Sequence, residues 1–107
     1  MSQPVYALNL FNVTSKDEYL AYARRSADEV QSHGGRVVAI GKFHEAVTGE
    51  PEPREVMILV EWSSRQAFDH YCNDPDLADL HPHRINGTSH YIWHLFDKLE
   101  DLRPILK

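Results

Sequence analysis

Residues 53–71 read PREVMILVEWSSRQAFDHY, and this stretch decides the fold because it joins a buried strand directly to a capped helix. Its five consecutive apolar residues, VMILV, mean that both faces of the strand predicted over 55–62 favour burial. Ser63 or Ser64 is the predicted N-cap of the helix that follows. The inward stripe of that helix consists of Ala67, Phe68, Tyr71 and Cys72.

The hydrophobic period changes between two and 3.6 residues on both sides of this stretch. The sequence VYALNLFNV at 5–13 predicts the first strand, and Ser15 with Glu18 forms a predicted capping box at the start of a helix. A Gly-Gly pair ends that helix, and further strands are predicted over about 36–43 and 89–96. The predicted buried stripe of the first helix is Tyr19, Leu20, Ala23, Ala27 and Val30.

The sequence DPDLADLHPHR, between the second helix and the last strand, predicts two interruptions. Asp74-Pro75 closes the helix and opens a further turn, with proline at its first helical position. Pro82 interrupts that turn in its interior, so we expect His81 to lie at a kink.

The element order, βαββα with an extra turn and then β, predicts an α+β fold of the ferredoxin-like kind. It consists of a four-stranded antiparallel sheet with both helices on one face, in a single domain over residues 1–107. Two helices cover only one side of such a sheet, while the strand over 55–62 is apolar on both sides. We therefore expect the other sheet face to meet a second copy of the chain, as a homodimer that packs sheet on sheet.

Composition excludes several classes of function. The net charge is -5 and no Lys/Arg cluster is present, which argues against a nucleic-acid partner. No apolar run approaches the roughly 18 residues of a membrane helix. The single cysteine, Cys72, allows no internal disulfide, and the start MSQPVYALNL lacks a basic, apolar leader. We expect a cytoplasmic protein with a small-molecule partner.

Four stretches carry a family resemblance: EYLAYARR at 18–25, HGGRVVAIGKF at 33–43, residues 53–71 and DPDLADL at 74–80. Together they resemble the dimeric α+β-barrel superfamily over nearly the whole chain. Within it, the sequence is similar to a set of uncharacterised small bacterial proteins and to the antibiotic-biosynthesis and heme-degrading monooxygenases. The resemblance implies a dimer with a pocket between each sheet and its own helices. It also implies one of several activities, because the superfamily includes cofactor-free monooxygenases, isomerases, cyclases and heme-binding members.

The resemblance to the heme-degrading members implies three site residues. Those enzymes use an Asn on the first strand, a Trp on the second long helix and a His after it that ligates iron. Alignment from Trp62 to Phe68 without gaps places His81 at the His position and Tyr71 where those enzymes have Trp. Asn9, on the first strand, is similar in position to their Asn.

The same three residues suggest chemistry without the family. The ordinary pKa of histidine lies near neutral pH, so the His81 imidazole can accept or donate a proton. Tyr71 and Asn9 would bind an oxyanion or orient a substrate. The alternative is a Tyr71 packed in the core and a His81 satisfied by a backbone carbonyl. Asn9 lies mid-strand among apolar neighbours, where a pocket explains a buried amide better than a turn does.

A second group of residues is predicted to line the same pocket and contact the substrate. Glu61 is either a second acid with a raised pKa or the partner of Arg54 or Arg84 in an ion pair. No metal site is predicted, because His81 and His83 lack further ligands at a recognisable spacing. The predicted substrate-binding residues are Glu61, Trp62, Phe68, His83, Arg84, His90 and His94.

Three functions follow from these patterns. The first is a cofactor-independent enzyme that uses His81 as acid and base to cyclise, isomerise or rearrange an aromatic or polyketide-like natural-product intermediate. The second is a heme-binding protein, or a heme-degrading or cofactor-free monooxygenase. The third is a noncatalytic ligand-binding dimer.

Overall fold

The computed structural model describes residues 3–50 and 52–106. Four strands and three longer helical segments alternate along the chain, and a short helix lies near the C-terminus. The elements are β1 Val5–Val13, α1 Lys16–Ser32, β2 Gly35–Lys42, β3 Val56–Trp62, α2 Arg65–Asn73, a 3-10 turn Pro75–Leu77, α3 His81–Gly87, β4 Thr88–Asp97 and α4 Arg103–Leu106.

The strands form one antiparallel sheet in the order β2-β3-β1-β4. The predicted ferredoxin-like α+β fold is therefore confirmed. In the register of β1 with its neighbours, Asn9 lies opposite Ile58 of β3 and Trp93 of β4. Residues in register share a sheet face, so these three side chains lie on the same side as the helices.

The core lies between the helices and this helix-facing side of the sheet. Strand β1 contributes every second residue to it, because alternate side chains on a strand point to one face. The two bulkiest side chains, Trp62 and Tyr71, come from β3 and α2 and are 1% exposed each. The buried core residues form one cluster of Val5, Ala7, Tyr22, Val30, Val60, Trp62, Tyr71, Leu77 and Leu80.

Helix α1 buries a different stripe from the predicted one. Leu20 is 49% exposed, whereas Tyr22, absent from the prediction, is buried in the core. The reason is the helical rotation: Tyr19, Tyr22 and Ala23 lie three or four residues apart on one face, and Leu20 falls beside it. The prediction that Leu20 is buried is wrong.

Helix α3 replaces the kink expected at His81. Pro82 lies in the first turn of the helix, where the missing amide hydrogen costs no intrahelical bond, so proline begins the helix instead of interrupting it. His81 and Arg84 are three residues apart on this helix and therefore share one of its faces.

The helix caps follow the sequence, with one exception. Ser15 accepts a hydrogen bond from the Glu18 amide at 3.3 Å, and Ser64 accepts one from the Ala67 amide at 3.0 Å. The Glu18 side chain does not return to the cap, because its carboxylate binds His83 at 2.7 Å. Only half of the predicted capping box is therefore formed.

The second face of the sheet is not covered by any helix of the described residues. Its side chains are partly exposed apolar groups, and Phe96 on β4 is 52% exposed. We call this surface the open face; its apolar residues are Leu8, Leu10, Met57, Leu59, Ile92 and Phe96. None of the helices in the described part of the chain combines the length and apolar character needed to span a bilayer.

Candidate functional site

A cavity of about 350 Å³ lies between α1 and the helix-facing side of the sheet. Asn9 is its polar residue on β1, and hydroxyls come from Tyr19, Tyr22, Ser26 and Tyr91. The rest of the lining is mostly small or apolar, from Ala23, Ala27, Val30, Val37, Ile40, Val56, Ile58 and Val60. Such a surface suits an aromatic or aliphatic ligand with few polar groups.

Asn9 is fixed by the protein around it. Its amide nitrogen donates to the carbonyl oxygens of Ala7 at 3.2 Å and Ile58 at 3.1 Å. Its amide oxygen accepts from the Tyr91 hydroxyl at 2.5 Å, and the Tyr91 ring stacks on Phe11 at 4.9 Å between centroids. Asn9 therefore orients Tyr91 at the cavity wall.

Tyr71 is part of the core and not of the cavity lining. Its hydroxyl lies 3.2 Å from that of Tyr22, and its ring packs 5.1 Å from Trp62. Burial raises the pKa of Tyr71 well above its usual range, with the neighbouring Tyr22 adding to the rise. Tyr71 is therefore a neutral hydroxyl that links the cavity residue Tyr22 to the residues under α3.

His81 lies edge-on to Tyr71, with 5.7 Å between ring centroids. Both of its ring nitrogens are shielded from solvent and make no hydrogen bond in the described structure. Burial lowers the pKa of His81, the Arg84 charge lowers it further, and the Tyr71 carbonyl opposes the shift without reaching hydrogen-bond geometry. His81 is therefore a neutral imidazole near pH 7, with one accepting and one donating nitrogen.

Arg84 is a half-buried cation next to His81 on α3. Its guanidinium carbon lies 4.7 Å from the Trp93 ring centroid and 5.2 Å from that of Tyr91. The guanidinium forms no ion pair within residues 3–50 and 52–106, and its Nε is buried without an acceptor. Its charge opposes the burial-driven rise in the pKa of Tyr22, Tyr71 and Tyr91.

The ring of Phe68 connects the two tryptophans of the chain. It packs edge-on against Trp62 at 5.7 Å and against Trp93 at 5.2 Å. Both indole nitrogens are buried without a hydrogen-bond partner among the described residues. We call the group under α2 and α3 the aromatic layer; it consists of Trp62, Phe68, Tyr71, His81, Arg84, Tyr91 and Trp93.

Two predicted substrate-binding residues are held in ion pairs away from the aromatic layer. His83 Nδ1 lies 2.7 Å from a Glu18 carboxylate oxygen. Glu61 lies on the open face and pairs with Arg36 at 2.7 Å and Lys98 at 3.1 Å, in place of the expected Arg54 or Arg84. The Lys98 bond is the main cause that lowers the pKa of Glu61, so this carboxyl is not the acid with a raised pKa considered above.

The two histidines of β4 do not reach the aromatic layer either. His94 pairs with Leu8 on the open face. His90 is exposed in a bulge with φ of 53°, and its carbonyl accepts from Arg54 Nε at 3.0 Å. The prediction that one of them lines the pocket beside His81 is wrong, because Tyr91 and Trp93 occupy the helix-facing positions of this strand.

A third group of titratable residues joins the ends of α1 and α2. His33, His70 and Asp74 each offer one ligand atom within 4.8 Å of the others, a grouping that the sequence did not suggest. His33 Nε2 lies 2.8 Å from an Asp74 oxygen, and its Nδ1 lies 2.7 Å from the Glu29 carbonyl. Two acceptors around one imidazole explain the cluster as an ion pair of a protonated histidine.

The His33–Asp74 pair predicts a pH-dependent stability. The Asp74 hydrogen bond raises the pKa of His33, and the same bond lowers that of Asp74. The contribution of His33 is full below its unfolded pKa and is lost as pH rises through the folded one; that of Asp74 is lost as pH falls through its own. Stabilisation is therefore greatest between about pH 4 and 6.5.

We expect His33→Gln to lower the Tm clearly at about pH 5.5 and by less than half as much at about pH 8.5. Thermal unfolding followed by circular dichroism measures both values. The Asp74→Asn variant and the double variant provide the control, since the second substitution should add little once the first is made. An equal loss at both pH values would contradict the assignment of a protonated His33.

Comparison with known proteins connects the chain to one family. The family described as "Domain of unknown function (DUF1330)" matches residues 4–95. No curated protein sequence matches the chain. Among solved structures, the RPA0582 protein of unknown function from Rhodopseudomonas palustris is 24% identical, with a TM-score of 0.80, over 94% of this chain and 86% of that one.

Two further solved structures share the fold at lower identity. SnoaB, a cofactor-independent oxygenase from Streptomyces nogalater, is 16% identical with a TM-score of 0.64, over 95% of this chain and 99% of that one. A dimeric ferredoxin-like protein of unknown function from Thermobifida fusca is 10% identical with a TM-score of 0.58, over 92% and 93% of the two chains. These likenesses show that the chain shares the ferredoxin-like fold.

Sequence reasoning missed three residues of the site: Tyr22, Tyr91 and Trp93. A signal for the last two was available, because β4 alternates and its aromatic residues Tyr91 and Trp93 occupy one face while the histidines occupy the other. Tyr22 fits the same helical face as Tyr19 at a spacing of three.

Proposed function

Since this chain belongs to the DUF1330 family, whose function is unknown, we propose its function from its own site. It is a small cofactor-independent enzyme that acts on an aromatic or polyketide-like metabolite through acid/base chemistry of His81. The reaction belongs to the class of cyclisations, isomerisations or rearrangements, in which a proton leaves one atom and enters another.

One observation carries this proposal: the His81 imidazole is shielded from water while both of its nitrogens lack a partner. Leaving a buried donor or acceptor unpaired costs about 1–3 kcal/mol each, so a core histidine normally finds a carbonyl or hydroxyl. His81 does not line the cavity, so a substrate there would reach it once the contact between Tyr22 and Tyr71 opens. A substrate with one hydroxyl and one acidic C–H or O–H would then engage both nitrogens. A neutral imidazole then removes one proton and returns another.

The surroundings favour an aromatic substrate. His81 contacts Tyr71 within the aromatic layer, and the cavity lined by Tyr22 and Tyr91 is mainly apolar. Tyr71 and Asn9, predicted as catalytic, are positioning residues in this proposal. The Tyr71 hydroxyl is shared with Tyr22, and the Asn9 amide is bound to the backbone and to Tyr91.

The active form is, in our proposal, a homodimer joined through the open face. This face carries the six apolar side chains named above, with Leu8 and Leu59 paired near its centre, beside Glu61 and His94. The Thermobifida fusca protein is described as dimeric and shares the fold. Two open faces packed together would remove these apolar side chains from water.

Hydrogen–deuterium exchange at carbon tests the acid/base role without knowledge of the natural reaction. The probe is 1,3-dihydroxynaphthalene in D2O, followed by proton NMR. The neutral His81 takes a deuteron from a ring hydroxyl and delivers it to the ring carbon between the hydroxyls. Neutral again, it then removes the original proton from that carbon. We expect exchange above the spontaneous rate, and a loss of that excess by about 10²-fold or more in His81→Gln.

His44→Gln is the matched control, because His44 is almost fully exposed in the loop after β2. It should exchange at the wild-type rate. Saturable binding of the probe without catalysed exchange would contradict the proposed enzymatic function. It would support the alternative of a noncatalytic ligand-binding dimer. Equal exchange in wild type and His81→Gln would remove His81 from the chemistry.

A cofactor-free oxygenase is the second candidate, and the structural likeness to SnoaB favours it. The chemistry would begin with the same proton removal, so oxygen consumption with the same probe separates it from isomerisation. Heme does not fit the described residues, because no histidine lines the cavity and a flat macrocycle would need a much wider separation of Tyr22 and Tyr71 than a two-ring substrate. We derive no step through heme.

A further inference from the structure

We propose that Arg84 is the receptor for an anionic oxygen of the substrate, so that the ligand class is an aromatic carboxylate or enolate. The inference rests on the proposed function for the location of the ligand. It adds the charge of that ligand and the residue that selects it.

The Arg84 guanidinium has no carboxylate partner among the described residues. The Arg84 guanidinium lies over the rings of Trp93 and Tyr91, which hold its position but neutralise no charge. By contrast, Arg25, Arg36 and Arg65 each have a carboxylate oxygen within 2.9 Å. A half-buried arginine without a counter-ion is costly unless an anion binds there.

The polar atoms around Arg84 are mainly hydrogen-bond donors without acceptors. The buried atoms without partners include three obligate donors, which are Arg84 Nε and the indole nitrogens of Trp62 and Trp93. His81 supplies one further donor as a neutral imidazole. The aromatic layer, as the described residues form it, contains no carboxylate, so a bound anion would supply the acceptors that these donors lack. A carboxylate or enolate oxygen provides them.

Arg84 lies next to His81, the proposed acid/base group, on the same helix. His81 and Arg84 lie three residues apart on α3, and the cation already lowers the tendency of the imidazole to protonate. Removal of a substrate proton by His81 creates negative charge on the substrate. A guanidinium beside it would stabilise that charge as it forms.

Matched ligands test the proposal directly. Isothermal titration compares 2-naphthoate with 2-naphthamide, which keeps the ring system and removes the charge. We expect the acid to bind wild type at least tenfold more tightly than the amide. Arg84→Gln should lose this preference while its affinity for the amide stays unchanged, and Arg65→Gln, a surface arginine paired with Asp69, should behave as wild type.

Proton–nitrogen NMR of the indoles supplies a second measurement, because the chain has only two tryptophans and both lie in the aromatic layer. The Trp93 signal, assigned with Trp62→Phe, should shift with 2-naphthoate in wild type and much less in Arg84→Gln. Arg84→Lys keeps the positive charge and should retain part of the preference for 2-naphthoate. It keeps the proposal testable if Arg84→Gln fails to fold.

Equal affinity for acid and amide, or an unchanged preference in Arg84→Gln, would overturn the proposal. The outcome is separable from that of the proposed function. His81→Gln should still prefer 2-naphthoate even where it no longer exchanges carbon-bound hydrogen. Charge-selective binding without exchange would support the anion site at Arg84 and contradict the proposed enzymatic function. Exchange without charge selectivity would support the enzymatic function and contradict the anion site.

Discussion

Gly87→Ala is expected to lower the free energy of unfolding by about 3 kcal/mol or more. Gly87 is the last residue of α3, where that helix crosses the start of α1. A Cβ at this position would lie 2.7 Å from the Tyr19 amide nitrogen and 3.1 Å from its Cα. Both atoms belong to the backbone, so a rotamer change cannot relieve the contact and the two helices must separate.

Separation would also break the hydrogen bonds that fix this crossing. The Gly87 carbonyl accepts from the Thr14 amide at 2.9 Å and from the Ser15 amide at 3.3 Å. Because α3 carries both His81 and Arg84, Gly87→Ala should also weaken 2-naphthoate binding in any protein that remains folded. Chemical denaturation at one fixed protein concentration measures the stability.

Gly41→Ala is the matched control for this measurement. The nearest atom to a Cβ at Gly41 is the Met57 methyl at 3.3 Å, the mobile end of a side chain on the open face. We expect a change within about 1 kcal/mol. A similar small change in Gly87→Ala would show that the helix crossing is more compliant than its geometry indicates.

Most of the fold was predictable because it depends on local periodicity. The strand composition of β1, the apolar run of β3 and the serine caps on α1 and α2 are local patterns, and the structure has a strand or a cap at each. The Asn86-Gly87 pair shows the limit of such patterns. The structure needs this glycine for a close approach of two helices that are distant in sequence, a contact that no local pattern predicts.

The candidate site was predictable only in part, for a related reason. The α2 spacing indicates that Tyr71 is buried, and the structure confirms this. Which hydroxyl or carbonyl satisfies a buried polar group depends on tertiary contacts, such as that of Tyr22 with Tyr71. The lack of a counter-ion at Arg84 is likewise visible only once the neighbours from β4 are in place.

The proposed homodimer leads to the second large effect. Leu59 lies on the open face, in β3 near the middle of the sheet, and pairs with Leu8 of β1. A stable dimer of this size buries about 800 Å² on each partner, so the centre of the face would be fully dehydrated. In a two-fold symmetric dimer, a charge placed there would be buried in both subunits, and the two like charges would lie close together and repel each other.

Leu59→Arg is therefore expected to raise the dimer dissociation constant by about 10²-fold or more, which corresponds to roughly 3 kcal/mol. Sedimentation velocity over a concentration series measures it, and circular dichroism checks that the variant is folded. Leu20→Arg makes the same chemical change on the outer surface of α1, where Leu20 is already half exposed, and should stay dimeric. A monomeric wild type, or a Leu59→Arg protein that remains a dimer, would place the subunit contact elsewhere or remove it.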